Sequence, residues 1–281
     1  MNRSDESGLS SAVADKLATL RQLVRALPSA VVAYSGGVDS AFMLAVARQE
    51  LGERCLALTT SSHAVPAREL AEARELATTL GAEHLVVDTD ETDIAEYAAN
   101  PTNRCYFCKD NLYTLCHAEA ARRGIETILD GVNCDDLGDI RPGLDAAAEQ
   151  QVRHLLVEAG MTKSDIRAAS AALGLPTWSK PAQPCLASRF PYGTEITHAR
   201  LERIEQAEEA VRSLGFREFR VRFASEGRAR IEIAGAELDR ARDDAMHARI
   251  VAEVRAAGFA DAILDLRPFQ SGRLNEETPA G

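Results

Sequence analysis

The chain has 281 residues, which suits one large domain or two modest ones, and 46% of them are hydrophobic, enough for a sizeable core. The formal net charge of −11 disfavours a broad nucleic-acid surface, because an acidic protein repels phosphate backbones. No apolar run reaches the roughly 18 residues that a membrane helix needs. The first nine residues are polar and acidic, unlike a signal peptide, so a soluble, cytoplasmic protein is expected.

Short apolar runs and longer amphipathic segments alternate in the first part of the chain. The apolar runs are predicted as strands: Val31–Tyr34, Cys55–Thr59, His84–Val87 and Thr127–Leu129. The amphipathic segments are predicted as helices: 11–26, 39–49, 66–80, much of 106–122, and 163–173. Such alternation predicts an α/β fold, a doubly wound parallel sheet with helices on both faces.

Four prolines, Pro176, Pro181, Pro184 and Pro191, interrupt regular structure, and residues 176–194 are predicted as an ordered connecting segment. A smaller C-terminal α+β domain is predicted beyond it, with helical segments over 197–214 and 236–257 and strands over 218–223, 229–233 and 262–266. The expected division is a first domain over 1–180, a connecting segment over 181–194 that carries Cys185, and a second domain over 195–281. The first few and last ten or so residues are expected to be loose.

The segment Ser35–Ser40, Ser-Gly-Gly-Val-Asp-Ser, lies between a predicted strand and a predicted helix. Two glycines let the backbone approach a phosphate closely, the serines supply hydroxyl donors, and the helix N-terminus adds N–H groups. A tight turn without a ligand is the alternative. The segment lacks the Gly-Lys-Ser/Thr of a Walker loop, and it resembles the pyrophosphate loop (PP-loop) of the ATP pyrophosphatases. The predicted ATP-binding residues are Ser35, Gly36, Gly37, Asp39 and Ser40, together with Thr60 after the second strand.

Six cysteines are present, and in a chain of this kind thiols, metal ligands or catalysts are expected rather than disulfides. Cys105 and Cys108 are three apart, so both thiols can reach one metal from one side of a turn; two buried thiols are the alternative. Cys185 lies among prolines, and Lys180 and Arg189 are expected to favour its thiolate; a packed loop cysteine is the alternative.

Three cysteines suit a cubane iron–sulfur cluster that leaves one iron open. Zinc needs a fourth ligand; Cys116 and Cys134 are the candidates, but neither has neighbours that suggest a metal site. Cys55 is expected to be part of the strand core.

Two acids, Asp135 and Asp136, follow the fourth predicted strand. Ligands of doubly wound sheets bind at the carboxyl ends of strands, so one of these acids is expected to meet the magnesium of ATP. Arg141, just beyond them, is expected to face the same cleft. A solvated acidic turn is the alternative.

Two arginines, Arg220 and Arg222, share one face of a predicted strand, and Arg228 and Arg230 repeat the spacing on the next. Arginines so placed can grip a phosphate or carboxylate with forked hydrogen bonds; a salt-bridged sheet face is the alternative. The acids expected to balance them are Glu208, Glu232 and Asp239. The predicted substrate-binding residues are Arg189, Glu208, Arg220, Arg222 and Asp239.

Five motifs together resemble the LarE family of ATP-dependent pyridinium-3,5-bisthiocarboxylic acid mononucleotide synthases. They are the PP-loop, Asn-Pro-Thr-Asn-Arg-Cys-Tyr-Phe-Cys-Lys from Asn100, Gly-Val-Asn-Cys-Asp-Asp from Gly131 with Arg-Pro-Gly behind it, Pro-Cys-Leu-Ala-Ser-Arg from Pro184, and the tail Ser-Gly-Arg-Leu-Asn-Glu from Ser271. The resemblance covers nearly the whole chain, from about Leu17 to Glu277.

The resemblance implies a sulfur transferase that helps build the nickel-pincer nucleotide cofactor of lactate racemase. Such an enzyme adenylates a carboxylate of a nicotinate-derived mononucleotide with ATP and Mg²⁺ and then replaces an oxygen with sulfur. In one branch a cysteine matching Cys185 gives up its own sulfur and becomes dehydroalanine. In the other, cysteines matching Cys105, Cys108 and Cys185 carry a four-iron four-sulfur cluster that is open to sulfide; all three are present here, which favours that branch. A homo-oligomer, often of six subunits, is also implied.

Three alternatives remain at the level of the sequence. A tRNA thiolase shares the loop and a similar cysteine set but is expected to have a basic surface. An amidotransferase-type ligase such as an NAD synthetase shares the loop but does not need the three cysteines. A regulatory nucleotide-binding or iron–sulfur storage module would have no turnover.

Overall fold

The structure is a computed structural model, and it describes residues 8–138, 142–225 and 227–270. Arg141, the tail motif from Ser271 and the extreme ends predicted to be loose lie outside the described residues. The chain divides into two compact units, one formed by Met1–Glu91 with Asn103–Gln183 and the other by Thr92–Thr102 with Pro184–Gly281. The sequence instead predicts that residues 92–102 belong to the first domain and that residues 181–194 form a separate connecting segment.

A four-stranded parallel sheet forms the centre of the first unit, in the order β3-β2-β1-β4. Its strands are β1 (Ala30–Ala33), β2 (Cys55–Ser61), β3 (Glu83–Asp88) and β4 (Thr127–Leu129). β1 pairs with β2 and with β4, and β2 pairs with β3. Each predicted strand is present with bounds that move by at most two residues, and the predicted α/β fold is confirmed.

Helices precede, connect and follow the strands. In chain order those described are α1 (Ser11–Arg25), α2 (Val38–Leu51), α3 (Ala67–Thr79), α4 (Ala95–Ala98), α5 (Arg104–Arg123), α6 (Pro142–Glu149), α7 (Leu155–Glu158), α8 (Lys163–Ala172), α9 (His198–Ser213), α10 (Gly235–Arg242) and α11 (Asp244–Ala256). The sequence missed α4, α6 and α7, because such short helices hold too few turns to show an apolar period.

Alternate residues of β1 pack into different hydrophobic clusters, as the two-residue period of a strand requires. Val32 packs in a cluster with Leu20 of α1 and Phe42 of α2, whereas Val31 packs in a cluster with Tyr113 and Cys116 of α5. All six side chains are buried. Helices therefore cover both faces of the sheet, which is the doubly wound arrangement.

Two glycines allow close backbone approach where β1 and β4 end. Gly36 has a φ of +74°, and a Cβ there would lie 2.8 Å from the Cβ of Ala73 on α3. A Cβ on Gly131 would lie 2.7 Å from the backbone nitrogen of Ser40 on α2. Position 131, two residues after β4, can therefore contact the first turn of α2 only if it has no side chain.

The second unit contains a three-stranded sheet in the order β5-β6-β7. β5 (Phe219–Ser225) and β6 (Arg228–Ile233) are antiparallel, and β7 (Asp261–Leu264) pairs with β6 in parallel. The helical region predicted over 236–257 is two helices, because Asp243 ends α10 and its side chain accepts a hydrogen bond from Met246 N–H at 3.1 Å to cap α11.

Residues 92–102 belong to the second unit because they pair with the segment that follows Pro191. Gly193 N–H donates to the Asn100 carbonyl and Ile196 N–H to the Ala98 carbonyl, each at 2.8 Å. The Asn100 side chain is buried and donates to the Pro191 carbonyl at 2.8 Å. These bonds hold the end of the proline-rich segment, which also contains two short 3-10 helices, Pro176–Ser179 and Leu186–Arg189. No helix within the described ranges is both long and apolar enough to span a membrane.

Replacing Gly131 by Ala is expected to lower the free energy of unfolding by about 2 kcal/mol, because the new methyl group would meet backbone atoms that cannot rotate away. Gly138→Ala is the matched control, since a Cβ there meets no atom within 4 Å. Urea unfolding of both variants measures the difference. Equal stability of the two variants would show that the contact with Ser40 is not restrictive.

Candidate functional site: a nucleotide pocket and two cysteine segments

The PP-loop forms the turn between β1 and α2 and is held by its own serines. The hydroxyl oxygens of Ser35 and Ser40 lie 3.0 Å apart, and the Ser40 hydroxyl accepts a hydrogen bond from Ser35 N–H at 3.2 Å. α2 follows Gly37, and no described side chain caps it. An uncapped helix N-terminus presents N–H groups and the positive end of a dipole, which together favour a phosphate.

A pocket of about 290 Å³, here called the nucleotide pocket, opens beside this turn. The predicted ATP-binding residues that line it are Ser35, Gly37, Asp39, Ser40, Thr60 and Asp136. Val65, Leu70 and Leu112 add an apolar side. Polar groups beside an apolar wall suit a nucleotide, whose base is apolar on its faces and whose phosphates are charged.

The two acids predicted near magnesium have different surroundings. Asp136 lines the nucleotide pocket, and its carboxylate accepts a hydrogen bond from Asn133 N–H at 3.0 Å. The carboxylate of Asp135 instead accepts a hydrogen bond from Lys163 N–H at 2.9 Å, at the start of α8. Asp136 is therefore the better placed of the two for a metal bound with ATP.

Asp39 is a second pocket carboxylate, in the first turn of α2. Its Oδ2 atom pairs with the Lys163 ammonium, whereas its Oδ1 atom is buried and, among the described residues, has no hydrogen-bond partner. Burial raises the pKa of Asp39, the Lys163 charge opposes this, and the charge of Asp136 adds to the rise. Carboxylate oxygens are the ligands that Mg²⁺ prefers, so Asp39 and Asp136 fit a magnesium ion.

Asp130, at the end of β4, is a pocket residue that the sequence did not single out. It is buried and accepts hydrogen bonds from the Tyr113 hydroxyl and His154 Nδ1, both at 2.8 Å, and from Val132 N–H at 3.1 Å. Burial raises the pKa of Asp130, but the hydrogen bond and charge of His154 outweigh it and hold that pKa below its usual value. The same hydrogen bond raises the pKa of His154.

Lys109 also lines the nucleotide pocket and was likewise not predicted, although it directly follows Cys108. Its ammonium lies 5.5 Å from the centre of the Tyr113 ring. It supplies a positive charge that can pair with nucleotide phosphates.

Cys105 and Cys108 lie in the first two turns of α5. Residues three apart share one face of a helix, so the two thiols lie on one side. Cys105 is exposed and Cys108 is half-buried. The donor set and the exposure fit two of the thiolate ligands of an iron–sulfur cluster, whose negative charge the helix N-terminus also favours. The third predicted ligand, Cys185, belongs to the second unit.

The other cysteines differ in their surroundings. Cys116 is fully buried in the α5 cluster, and burial raises its pKa to about 12, so it is not available as a fourth zinc ligand. Burial likewise raises the pKa of Cys55 to about 12, in agreement with a core role. Cys134 is half-buried, and its thiol lies 4.0 Å from the Val157 carbonyl oxygen.

The two cations expected to favour the Cys185 thiolate are both paired with carboxylates. Lys180 forms ion pairs with Glu69 at 2.7 Å and Glu72 at 2.8 Å on α3. Arg189 is 1% exposed and binds both carboxylate oxygens of Glu208, at 2.8 and 2.9 Å. Both charges are therefore shared with carboxylates, and their expected effect on the Cys185 thiol stays a prediction.

Arg189 instead holds the backbone around Cys185. Its remaining nitrogen donates hydrogen bonds to the Pro184 carbonyl at 2.8 Å, to the Cys185 carbonyl at 3.3 Å and to the Ser188 hydroxyl at 2.9 Å. Glu208 also accepts a hydrogen bond from Val221 N–H at 3.1 Å, so this ion pair joins the Cys185 segment to β5.

Arg220 and Arg222 lie on one face of β5, as predicted, but both are buried. Arg222 donates to Glu232 at 3.1 Å and to the Ser188 carbonyl at 2.8 Å. Arg220 donates to the Phe219 carbonyl and stacks over the Phe269 ring at 4.8 Å. Burial, and then the charge of Arg189, lower the pKa of Arg220 to about 10, which leaves it charged at neutral pH.

The acids predicted to balance these arginines divide into two groups. Glu208 and Glu232 are buried partners of arginines, and Glu232 also pairs with Arg230 at 3.2 Å. Asp239 is an exposed residue of α10 that pairs with Arg242 at 3.5 Å, so it does not balance the buried arginines as expected. Arg228 is largely exposed and pairs with Asp261 on β7. It does not lie with the buried arginines that were predicted to bind a phosphate or carboxylate.

Comparison with known proteins agrees with this geometry. The model of the family described as "Queuosine biosynthesis protein QueC" matches residues 29–139, which include the PP-loop and β4. An uncharacterised protein of Synechocystis sp. is 43% identical over 260 residues, 92% of this chain and 97% of the relative. The pyridinium-3,5-bisthiocarboxylic acid mononucleotide synthase of Lactiplantibacillus plantarum is 36% identical over 268 residues, 94% of this chain and 95% of the relative.

The chain belongs to the pyridinium-3,5-bisthiocarboxylic acid mononucleotide synthase family. Membership of this synthase family confirms the resemblance predicted from the motifs and the prediction of an ATP-dependent enzyme with a PP-loop. A shorter match, 48% identical over 62 residues, is to the 7-cyano-7-deazaguanine synthase of Nitrosospira multiformis and covers 22% of this chain and 26% of that relative.

Replacing His154 by Gln is expected to lower the free energy of unfolding by roughly 3 kcal/mol near about pH 6, because it leaves a buried carboxylate without its charged partner. The pKa of His154 is raised from 6.5 in the folded state. Its contribution to the free energy of unfolding is therefore complete below pH 6.5 and is lost as the pH rises through the folded pKa. The pKa of Asp130 is lowered from 3.8, so its contribution is present above 3.8 and is lost as the pH falls through the folded pKa. The difference in stability between the native chain and His154→Gln should therefore be largest between pH 3.8 and pH 6.5.

Urea unfolding near about pH 6 and about pH 9 checks this, with the difference from the native chain narrowing at the higher pH. His117→Gln, at a surface histidine that contacts the Gln150 carbonyl, is the control and should cost about 0.5 kcal/mol or less. A loss for His154→Gln that is the same at both pH values would contradict a charged pair.

Proposed function

We propose that this enzyme adenylates a carboxylate of a pyridinium biscarboxylic acid mononucleotide and converts it to a thiocarboxylate for the nickel-pincer cofactor of lactate racemase. The observation that carries the proposal is the 36% identity, over 94% of the chain, to a protein named for that product. The nucleotide pocket supports it, because the pocket combines a PP-loop, two carboxylates suited to magnesium and the cation of Lys109.

Adenylation is needed because a carboxylate is a poor electrophile and its oxygen is a poor leaving group. A substrate carboxylate oxygen attacks the α-phosphorus of ATP, and the bond to the β-phosphate oxygen breaks, so pyrophosphate leaves with that electron pair. The N–H groups at the start of α2, the hydroxyls of Ser35 and Ser40, and Lys109 bind the phosphates. Asp39 and Asp136 would hold magnesium, which neutralises phosphate charge when bound.

The second unit is proposed to bind the mononucleotide through Arg220 and Arg222. Both guanidinium groups are buried and held by internal partners, so they are fixed in place before a substrate arrives. Preorganised arginines bind a phosphate with little ordering cost.

Sulfur transfer completes the proposed reaction. A sulfur nucleophile attacks the acyl carbon, the carbon–sulfur bond forms, and AMP leaves with the electron pair of the broken carbon–oxygen bond. We favour Cys105, Cys108 and Cys185 as ligands of a four-iron four-sulfur cluster, which when bound would supply a replaceable sulfide. The exposure of Cys105 and the half-burial of Cys108 support this choice, because a structural thiol pair would be enclosed.

The alternative is that Cys185 is the sulfur source. Its Sγ would attack the acyl adenylate, and β-elimination would then break its Cβ–Sγ bond with loss of the Cα proton. The thiocarboxylate would leave with the sulfur, and dehydroalanine would remain in the chain.

Replacing Cys105 by Ala separates the two sulfur routes. With anaerobically reconstituted protein and added sulfide, the native chain is expected to make several thiocarboxylates per protomer, and the variant none. Pyrophosphate release should continue in the variant, because adenylation uses the nucleotide pocket. Product counting and pyrophosphate detection measure the two steps.

Cys134→Ala is the control, because Cys134 is another thiol that is not fully buried but lies outside the Cys-x-x-Cys motif. It should keep both activities. A single turnover in Cys105→Ala, with Cys185 losing the mass of hydrogen sulfide, would contradict the cluster route and support the sacrificial one. No mononucleotide-dependent pyrophosphate release from the native chain would contradict the proposed function itself.

A further inference from the structure

The ammonium of Lys163 lies beside Asp39, one of the two carboxylates that fit a magnesium ion. The ammonium pairs with Asp39 Oδ2 although the two residues are 124 positions apart in the chain. Asp39 Oδ1 is buried and lacks a hydrogen-bond partner among the described residues. One oxygen of the Asp39 carboxylate therefore pairs with a cation of the chain itself, and the other has no partner among the described residues.

The backbone of Lys163 is fixed while its side chain is long. Lys163 is the first residue of α8, and Thr162 and Asp165 form a capping box around that helix start. Asp135 accepts a hydrogen bond from Lys163 N–H at 2.9 Å. Its four-carbon side chain is 36% exposed and can carry the ammonium to another anion nearby without moving the helix.

Two cations cannot share the Asp39 carboxylate without repelling each other. A divalent ion on Asp39 and Asp136 would face the Lys163 ammonium at close range, where like charges are costly. The polyphosphate of a nucleotide removes this conflict, because it offers Lys163 a new anionic partner and offers the metal more oxygen ligands. The metal and the nucleotide should then strengthen each other's binding.

We propose that Lys163 makes divalent-metal binding at Asp39 and Asp136 depend on a bound nucleoside triphosphate. Without nucleotide, Lys163 neutralises Asp39 and excludes the metal. With nucleotide, Lys163 moves to the phosphates and the metal takes its place on Asp39. This inference depends on the proposed use of ATP in the nucleotide pocket, but not on the route of sulfur.

Lys163→Met tests the inference through metal binding rather than through activity. Binding of Mn²⁺ to the full chain is measured by electron paramagnetic resonance, alone and with α,β-methylene-ATP, in which the α–β bridge cannot be cleaved. The native chain should bind Mn²⁺ weakly alone and much more tightly with the nucleotide. The variant should bind Mn²⁺ alone about tenfold more tightly, and the tightening by nucleotide should fall by about the same factor.

Lys16→Met is the matched control. Lys16 pairs with Asp165 on α8 at 2.7 Å, with a side chain 34% exposed against 36% for Lys163, but Asp165 does not line the nucleotide pocket. It should leave both Mn²⁺ affinities unchanged. Lys163→Arg retains the charge and should keep the native dependence on nucleotide.

Native Mn²⁺ affinities in Lys163→Met, with and without nucleotide, would overturn the inference while leaving the nucleotide pocket intact. A native chain that bound neither Mn²⁺ nor α,β-methylene-ATP would overturn the proposed pocket as well. Circular dichroism of each variant establishes that it is folded. If Lys163→Met does not fold, loss of the native dependence in Lys163→Gln supports the inference and its retention overturns it.

Discussion

The contact between Gly131 and the backbone of Ser40 is the constraint on which the nucleotide pocket depends. It brings the end of β4 against the first turn of α2, at a distance that no side chain could occupy. Asp130 precedes this glycine and Asp136 follows it, so the contact collects their carboxylates beside Asp39 and the PP-loop. The pocket proposed for an anionic nucleotide is therefore rich in acids, and each acid needs hydrogen-bond donors or a cation.

Asp130 and Asp39, two acids of the pocket, meet this need in different ways. Asp130 accepts three hydrogen bonds, one of them from His154, and so has little capacity for a ligand. Asp39 has a buried oxygen without a partner among the described residues, and its other oxygen pairs with the ammonium of Lys163. Burying such an oxygen is costly unless a ligand later uses it, which distinguishes Asp39 from Asp130.

The sequence predicted those parts of the site that depend on neighbours in the chain. The PP-loop and β1 to β4 follow from local pattern, since glycines, apolar runs and helix starts carry their own signal. Lys163 could not be chosen by such reasoning, because its partner lies 124 residues away and nothing in the helix period specifies it. The exposure of Arg228 could not be predicted either, because a spacing of two along a strand gives a shared face but not burial.

Partners that are distant in sequence also change the chemistry expected of Cys185 in the second unit. Charges close in sequence suggested a thiolate stabilised by Lys180 and Arg189, yet each of these cations is paired with glutamate. A cation that is already neutralised at 2.8 Å adds little field at a nearby thiol. Arg189 contributes by fixing the Pro184 and Cys185 carbonyls instead, so it sets the shape of the segment rather than its charge. The proposed sulfur step would then take its activation from what the enzyme binds, an acyl adenylate or metal ions, which would link it to the proposed ATP step that precedes it.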